Sequence, residues 1–153
     1  MIALHFEKIN DISTNLFAKD TFDNFLLREA SLVADYALTL ENTGQAISYG
    51  KVRALLSTFV QNSSADSPAL PKGHIVLCAP LSYQVSLMEH ASFSGDPDII
   101  KGLILTFRFD NDNAAALTGI SYQSFSLDKS IEPLWDQAII KSFNRMNIPY
   151  QLL

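Results

Sequence analysis

The sequence has little cysteine, basic charge or glycine, and each shortage argues against a class of protein. Cys78 is the single cysteine among 153 residues, so no disulfide can form within the chain. Eleven basic residues stand against sixteen acidic ones, and the net charge of −5 argues against a nucleic-acid binder and against docking on anionic lipid. The six glycines form no glycine-rich phosphate loop, so the sequence does not indicate a nucleotide-hydrolysing or dinucleotide-binding protein.

Long apolar runs are also missing. No stretch is long enough to span a bilayer. The opening "MIALHFEKIND" reaches charge at Glu7 without the basic and apolar regions of a signal peptide. Cys78 lies in the apolar stretch "HIVLCA", which is typical of a buried, inert thiol. Together these features predict a cytoplasmic protein without a membrane segment.

The composition that is present predicts one compact domain. Hydrophobic residues make up 48% of the chain and charged residues only 18%, a balance that favours a packed core over disorder. Hydrophobic periodicity then predicts six strands and four helices. The strands are 2–6, 25–33, 36–42, 74–79, 102–109 and 115–127, and the helices are 8–19, 48–61, 81–91 and 130–149.

The order of these elements is βαββα, a polar connector over 62–73, then βαββα. It predicts a single α+β domain with a mainly antiparallel sheet of about six strands and four helices. The domain would consist of two halves, 1–62 and 73–149, joined by the connector. An alternative interpretation takes the first six elements, βαββαβ, as a ferredoxin-like unit with αββα appended.

Candidate catalytic residues cluster in the first sheet-forming segment. Asp20 and Asp23 in "DTFD" can act as an acid–base pair or as half of a metal site. The alternative is structural, with Asp20 or Thr21 capping free backbone donors between the helix and the strand. Arg28 and Glu29 are adjacent on a strand, so one of them is expected to face the more buried side and to need a partner there. That pair is either structural or lines a pocket. His5 completes this weakly indicated set.

The stretch "FRFDNDNAAALTG" (107–119) has the oxygen-bearing side chains of a calcium loop but not its spacing. Counted from Asp110, the sixth position is Ala115 instead of glycine, and the twelfth is Ser121 instead of glutamate. A hairpin turn is the better interpretation. The three histidines are scattered without ligand spacing, so the sequence predicts neither a metal nor a cofactor.

Two stretches near the ends of the chain, "DTFDNFLLREASL" and "FSLDKSIEPLWDQ", carry a resemblance. They resemble those of a family of small uncharacterised proteins, a domain of unknown function from anaerobic Gram-positive bacteria. The resemblance implies a bacterial cytoplasmic setting and a single-domain protein. It assigns no catalytic residue.

Three functions remain open on this basis. The absence of a catalytic motif favours a non-enzymatic binding or protein-interaction module, acting as a homodimer or with another protein partner. The first alternative is an enzyme whose site is assembled from the scattered residues Asp20, Asp23, Arg28, Glu29 and His5. The second is a clamp-like nucleic-acid accessory factor, which would need a local basic stripe against the overall charge.

Overall fold

A computed structural model describes residues 1–63, 72–110 and 113–153, except the side chains of residues 62 and 63. Most of the predicted connector therefore lies outside the described residues. The strands are β1 Ala3–Phe6, β2 Leu26–Val33, β3 Ala37–Glu41, β4 Lys72–Cys78, β5 Ile100–Asp110, β6 Asn113–Tyr122 and β7 Tyr150–Leu152. The helices are α1 Ile9–Ser13, which continues as a π-helical turn over Thr14–Ala18, α2 Tyr49–Ser63, α3 Leu81–His90 and α4 Ile131–Arg145, with a 3₁₀ turn at Pro97–Ile99.

The described strands form one antiparallel sheet in the order β3-β2-β4-β5-β6-β1-β7. This confirms the prediction of a single α+β domain with an antiparallel sheet and four helices. The sheet has seven strands, because the three-residue strand β7 pairs with β1 at the edge. The sequence pattern extended the last helix to residue 149 and assigned no strand to the residues after it. The helix ends at Arg145, since Asn147 adopts a φ of 56° and Pro149 cannot continue a helix.

The first strand does not pair with the other strands of the N-terminal segment. β1 lies between β6 and β7, whereas β2 and β3 lie at the opposite side of the sheet, next to β4. The ferredoxin-like alternative is therefore wrong, since it would pair the first strand with those of the first six elements. β5 and β6 are paired from Ile100 to Tyr122, as the hairpin prediction requires. The predicted turn residues at 111 and 112 lie outside the described residues.

The hydrophobic core lies on one side of the sheet, between the strands and the helices. Phe6 contacts Phe143 of α4 edge to face, with ring centroids 5.3 Å apart, and Phe109 lies against Phe17 of the π-helical turn. The Trp135 indole of α4 donates a hydrogen bond to the Ile104 carbonyl oxygen at 3.0 Å. Apart from Gly102, every buried residue of the described strands points to this side. Alternate strand positions therefore divide the sheet into a packed face and an open face.

The open face is formed by the strand residues that point away from the helices. In its centre are Val76, Cys78, Ile104, Thr106 and Leu117, all partly buried. A Cβ added to Gly119 on this face would meet nothing within 4 Å, which shows how little covers the sheet there. Within the described residues, no helix combines the length and the apolarity that a membrane span requires.

Candidate functional site

Asp20 and Asp23 lie in the turn between the π-helical segment and β2, where Asp23 forms an ion pair. Its carboxylate accepts hydrogen bonds from Nε and an Nη of Arg53 at 2.8 and 3.2 Å. This hydrogen bonding raises the pKa of Arg53. The N–H groups of Tyr49 and Gly50 donate to the carbonyl oxygens of Phe25 and Asp23, so the turn also receives the start of α2. Asp23 therefore has a visible role in holding α2 to the sheet.

Arg28 and Glu29 are both exposed, so the prediction that one of them faces the more buried side is wrong. The cause is a β-bulge. The ladder pairs Leu27 with Leu77 and Glu29 with Val76, which are neighbours on β4, so Arg28 is an extra residue without an opposite partner. Because of this extra residue, the alternation of side chains between the two faces of β2 shifts by one position, and Glu29 points to the open face.

His5 is not brought to the other predicted residues. It lies on β1, where its Nε2 is 3.4 Å from Oδ1 of Asn113. The strands β4, β5 and β6 separate β1 from β2, so His5 and Glu29 stand four strand spacings apart, about 19 Å. The order of strands in the sheet, which the sequence pattern does not reveal, excludes a joint site for these two residues.

Instead, the open face gathers a different set of ionisable groups around Glu29. His74 Nε2 lies 3.6 Å from Glu29 Oε1, and Lys72 Nζ lies 3.9 Å from Asp110 Oδ1. With Arg108, which pairs with His74 across β4 and β5, they line a depression of about 560 Å³. A second depression of about 430 Å³ shares the Glu29 and Val76 walls. The depression lined by His74 is shallow, and the Glu29 side chain remains 51% exposed.

Sequence reasoning missed Lys72, His74 and Arg108 in this cluster. The available signal was the alternation of β4 and β5, which places Lys72, His74 and Val76 on the side away from the apolar Ile75 and Leu77. The cross-strand register that brings Arg108 to His74 cannot be found from either strand alone. Within the described residues, no group of three or more histidine, cysteine or acidic side chains is arranged to hold a metal ion.

Helix α3 presents an unusual surface to solvent. Leu81, Ser82, Val85 and Ser86, here called the α3 surface, are exposed and uncharged, with Leu81 66% and Val85 47% accessible. Their positions span one continuous arc of the helix. The buried Gln84 and Met88 lie beside this arc, on the side of α3 that faces the sheet, and the Gln84 amide donates a hydrogen bond to the Ile100 carbonyl oxygen at 3.1 Å.

An apolar groove runs along α4 in the layer of helices, and it is here called the α4 groove. Two adjoining cavities of about 250 and 220 Å³ share Phe25, Ile139 and Ser142 as walls. Around these the groove is lined by Thr21, Phe22, Ala79, Pro80, Tyr83, Leu105, Trp135, Ala138, Phe143, Arg145 and Met146. The residues come from the turn before β2, from the link between β4 and α3, from α3, from β5 and from α4 with the residue after it, so no local sequence motif marks the groove.

The fold and these surfaces define an α+β protein whose single antiparallel sheet is covered by helices on one face. The family of unknown function DUF5721 matches residues 35–151, and the chain belongs to this family. The match confirms the resemblance to a domain of unknown function. Neither the comparison with curated proteins nor the comparison with solved structures found a match.

Proposed function

We propose that this chain is a non-enzymatic protein-interaction module that pairs with a second copy of itself through the α3 surface. The observation that carries the proposal is the exposed arc formed by Leu81, Ser82, Val85 and Ser86, which carries no charge over its first six residues and has Glu89 at its C-terminal end. Solvent-facing helix surfaces of soluble proteins normally carry charge. The centres of protein interfaces are depleted in charge, and contiguous exposed apolar surface marks a contact with a partner.

Further exposed apolar side chains belong to a loop that is tied to the segment after α3. Phe125 and Leu127 are 79% and 88% exposed. The neighbouring Asp128 carboxylate accepts hydrogen bonds from the backbone N–H and the hydroxyl of Ser94, both at 2.8 Å. Because Ser94 follows α3 by four residues, this loop lies close to the C-terminal end of the helix.

The shape of the α3 surface suits contact between two helices. Ser82 and Ser86 form its outermost ridge, and their small side chains permit two helix axes to approach to about 8 Å. Val85 flanks this ridge beside a depression of about 260 Å³ that is also lined by Met88 and Phe93. An apolar side chain from a partner helix can enter that depression while the serine ridges are in contact.

The distribution of charge favours a second copy as the partner. Glu89 lies on the same arc at the C-terminal end of α3, and α3 starts after Pro80 without a side chain capping its free N–H groups. In an antiparallel pair related by a two-fold axis, each Glu89 carboxylate lies near the positive N-terminal end of the other α3. The same interaction occurs twice, so one surface complements itself.

Sedimentation velocity over a wide range of protein concentrations tests this proposal. We expect the wild type to dimerise and Val85→Glu to remain monomeric, because the substitution places two like charges near the two-fold axis. Leu55→Glu is the matched control, since Leu55 is 50% exposed on α2 and its replacement should leave the dimer intact. A wild type that stays monomeric at the highest concentration, or equal behaviour of the two variants, would contradict the proposal.

A second candidate function, hydrolysis, rests on the Glu29–His74 pair. A carboxylate beside an imidazole can orient it as a general base for water. Arg108 lies in the same depression and can stabilise the negative charge that develops on an attacked carbonyl. If so, the protein hydrolyses some members of a panel of chromogenic esters, His74→Ala abolishes the hydrolysis, and the exposed His90→Ala does not. A wild type inactive on the whole panel argues against this candidate.

The clamp-like alternative receives less support from the open face. Glu29 and Asp110 stand beside Lys72 and Arg108 there, so cations and anions are interspersed over the described part of this face. Binding along a nucleic-acid backbone requires a continuous row of cations. A mobility-shift assay with duplex DNA at low salt is the direct check.

A further inference from the structure

The α4 groove has the construction of a small-molecule site. Ligand pockets are concave and mostly apolar, contain a few polar groups, and enclose roughly 300–1,000 Å³. The two adjoining cavities, of about 250 and 220 Å³, are each slightly smaller than this range, and they share three walls. The floor is formed by Leu105 and Phe143, which belong to the core, so the apolar part of a ligand would contact the core directly.

Most polar groups along the groove already have partners within the protein. The Thr21 hydroxyl donates to Oδ1 of Asn15 at 2.8 Å, and the Ser142 hydroxyl donates to the Ala138 carbonyl oxygen at 2.9 Å. The Trp135 N–H donates to the Ile104 carbonyl oxygen. These groups shape the walls, and they have little hydrogen-bonding capacity left for a ligand.

Arg145 differs from these groups. It contributes the one formal charge among the residues that line the groove, and no carboxylate of the described residues lies within 4.0 Å of its guanidinium. Its charge also reaches the Tyr83 phenol across the groove. Burial raises the pKa of Tyr83, and the nearby Arg145 charge opposes that rise. A guanidinium and a phenol, both hydrogen-bond donors, thus line the two adjoining cavities of the groove, Arg145 in one and Tyr83 in the other.

We infer that the α4 groove binds an amphipathic monocarboxylate, with its acyl or aryl body on Phe25, Ile139 and Phe143 and its carboxylate on Arg145. A guanidinium pairs with a carboxylate through two parallel hydrogen bonds. A cationic amphiphile would be repelled by Arg145. A neutral one would gain no charge-assisted interaction with the guanidinium, which is exposed to solvent at the end of the groove. The single cation in the groove, within a chain of net charge −5, favours a monoanion over a dianion.

A tryptophan in the wall of the α4 groove can report ligand binding through its fluorescence. Trp135 is the only tryptophan of the chain, and the indole lies in the groove wall with Tyr83 packed on it edge to face at 6.1 Å. The wild type is titrated with decanoate, decanol and decyltrimethylammonium, each below its micelle concentration, while Trp135 emission is recorded. We expect decanoate to change the emission at the lowest concentration, decanol at a higher one, and decyltrimethylammonium least effectively.

Two variants on α4 assign the selectivity to Arg145. Arg145→Gln should weaken decanoate binding by about ten-fold or more, the loss typical of a charge-assisted hydrogen bond, and should leave decanol binding unchanged. Lys141→Gln is the matched control, because Lys141 is an exposed cation one turn earlier on the same helix. Circular dichroism checks that both variants are folded.

Each outcome of these titrations tests a different part of the inference. Equal binding of decanoate and decanol, or equal effects of Arg145→Gln and Lys141→Gln, would overturn the assignment of a carboxylate to Arg145. No emission change with any of the three compounds would overturn the groove as a ligand site. Neither result bears on the pairing of α3, which sedimentation measures separately on a different arc of that helix.

Discussion

Substitution of Gly73 by alanine should destabilise the fold strongly, because this glycine occupies a place where β2 and β4 approach each other too closely for a side chain. Gly73 has a φ of 144°, a conformation that residues with a Cβ rarely adopt. A Cβ at this position would lie 1.8 Å from the Ser31 carbonyl oxygen and 3.0 Å from the Leu32 Cα. Since carbon–oxygen contacts are normally at least about 3.3 Å, the two strands would have to separate by about 1.5 Å.

The expected loss of stability follows from the interactions that this separation of the strands breaks. The strained backbone costs on the order of 1–3 kcal/mol. Loss of one or two ladder hydrogen bonds around the Leu32–Gly73 pair adds about 1 kcal/mol each. We therefore expect the free energy of unfolding to fall by about 3 kcal/mol, which for a domain of this size corresponds to a Tm lower by about 10 °C.

Urea and thermal unfolding followed by circular dichroism measure this effect, with Gly119→Ala as the matched control. Gly119 is also a strand glycine, but a Cβ there would meet nothing within 4 Å. Its replacement should be neutral or stabilise the protein by up to about 1 kcal/mol, because alanine restricts the unfolded chain. The reasoning fails if Gly73→Ala costs less than about 1 kcal/mol. A similar loss in Gly119→Ala would show that the open face is covered.

Three further predictions concern single positions. Ser92→Gly should raise the free energy of unfolding in urea by about 1 kcal/mol, since Ser92, two residues after α3, has a left-handed φ of 53°; a loss would contradict this. Hydrogen bonds from Ser130 and Ser94 lower the pKa of the Asp128 carboxyl group in the folded state. The ionised carboxylate therefore stabilises the fold fully above the pKa of about 3.9 that it has in the unfolded chain, and this stabilisation is lost as the pH falls. The Tm difference between wild type and Asp128→Ala should hence be constant above about pH 5 and shrink below about pH 4. Burial raises the pKa of the Cys78 thiol, with Arg28 opposing, so a thiol reagent at pH 8 should react more slowly with the folded protein than in urea.

The two proposed surfaces lie on different sides of α3, which has a consequence for function. Leu81 and Val85 belong to the α3 surface, whereas Tyr83 borders the α4 groove. Pairing of two copies would therefore leave each groove accessible, and occupation of the groove would place a ligand next to the helix that makes the contact. The protein we propose is a self-associating module with one site for an amphipathic carboxylate in each copy.

Several elements could be predicted from the sequence because their signals are local. The apolar stripe of α4 and the two strands that flank the turn after Val33 follow from spacing alone. The end of α4 was placed too late, since its termination depends on the left-handed backbone at Asn147. The strand β7 is three residues long and exists only because β1 offers an edge for pairing.

The candidate site residues also divide into features that local sequence could indicate and features that depend on distant residues. A structural role for the turn "DTFD" could be predicted from its residue types, but the ion pair of Asp23 could not, because its partner Arg53 is thirty positions away in the chain. The bulge at Arg28 could not be predicted, because it depends on which residues of β4 lie opposite. The exposed α3 surface could not be recognised from the sequence either, since Val85 has the spacing of a core residue and only the packing of α3 shows that it faces solvent.

The sequence by itself determined the α+β class, the four helices and the antiparallel hairpins, because periodicity and turn residues act between near neighbours. Only the tertiary structure decided the order of the strands, which keeps His5 apart from Glu29 and brings His74 and Arg108 together. It also decided which apolar side chains remain outside the core. The physical reason is that strand pairing and helix packing join residues distant in the chain, and their relative positions depend on the burial of the whole apolar face at once.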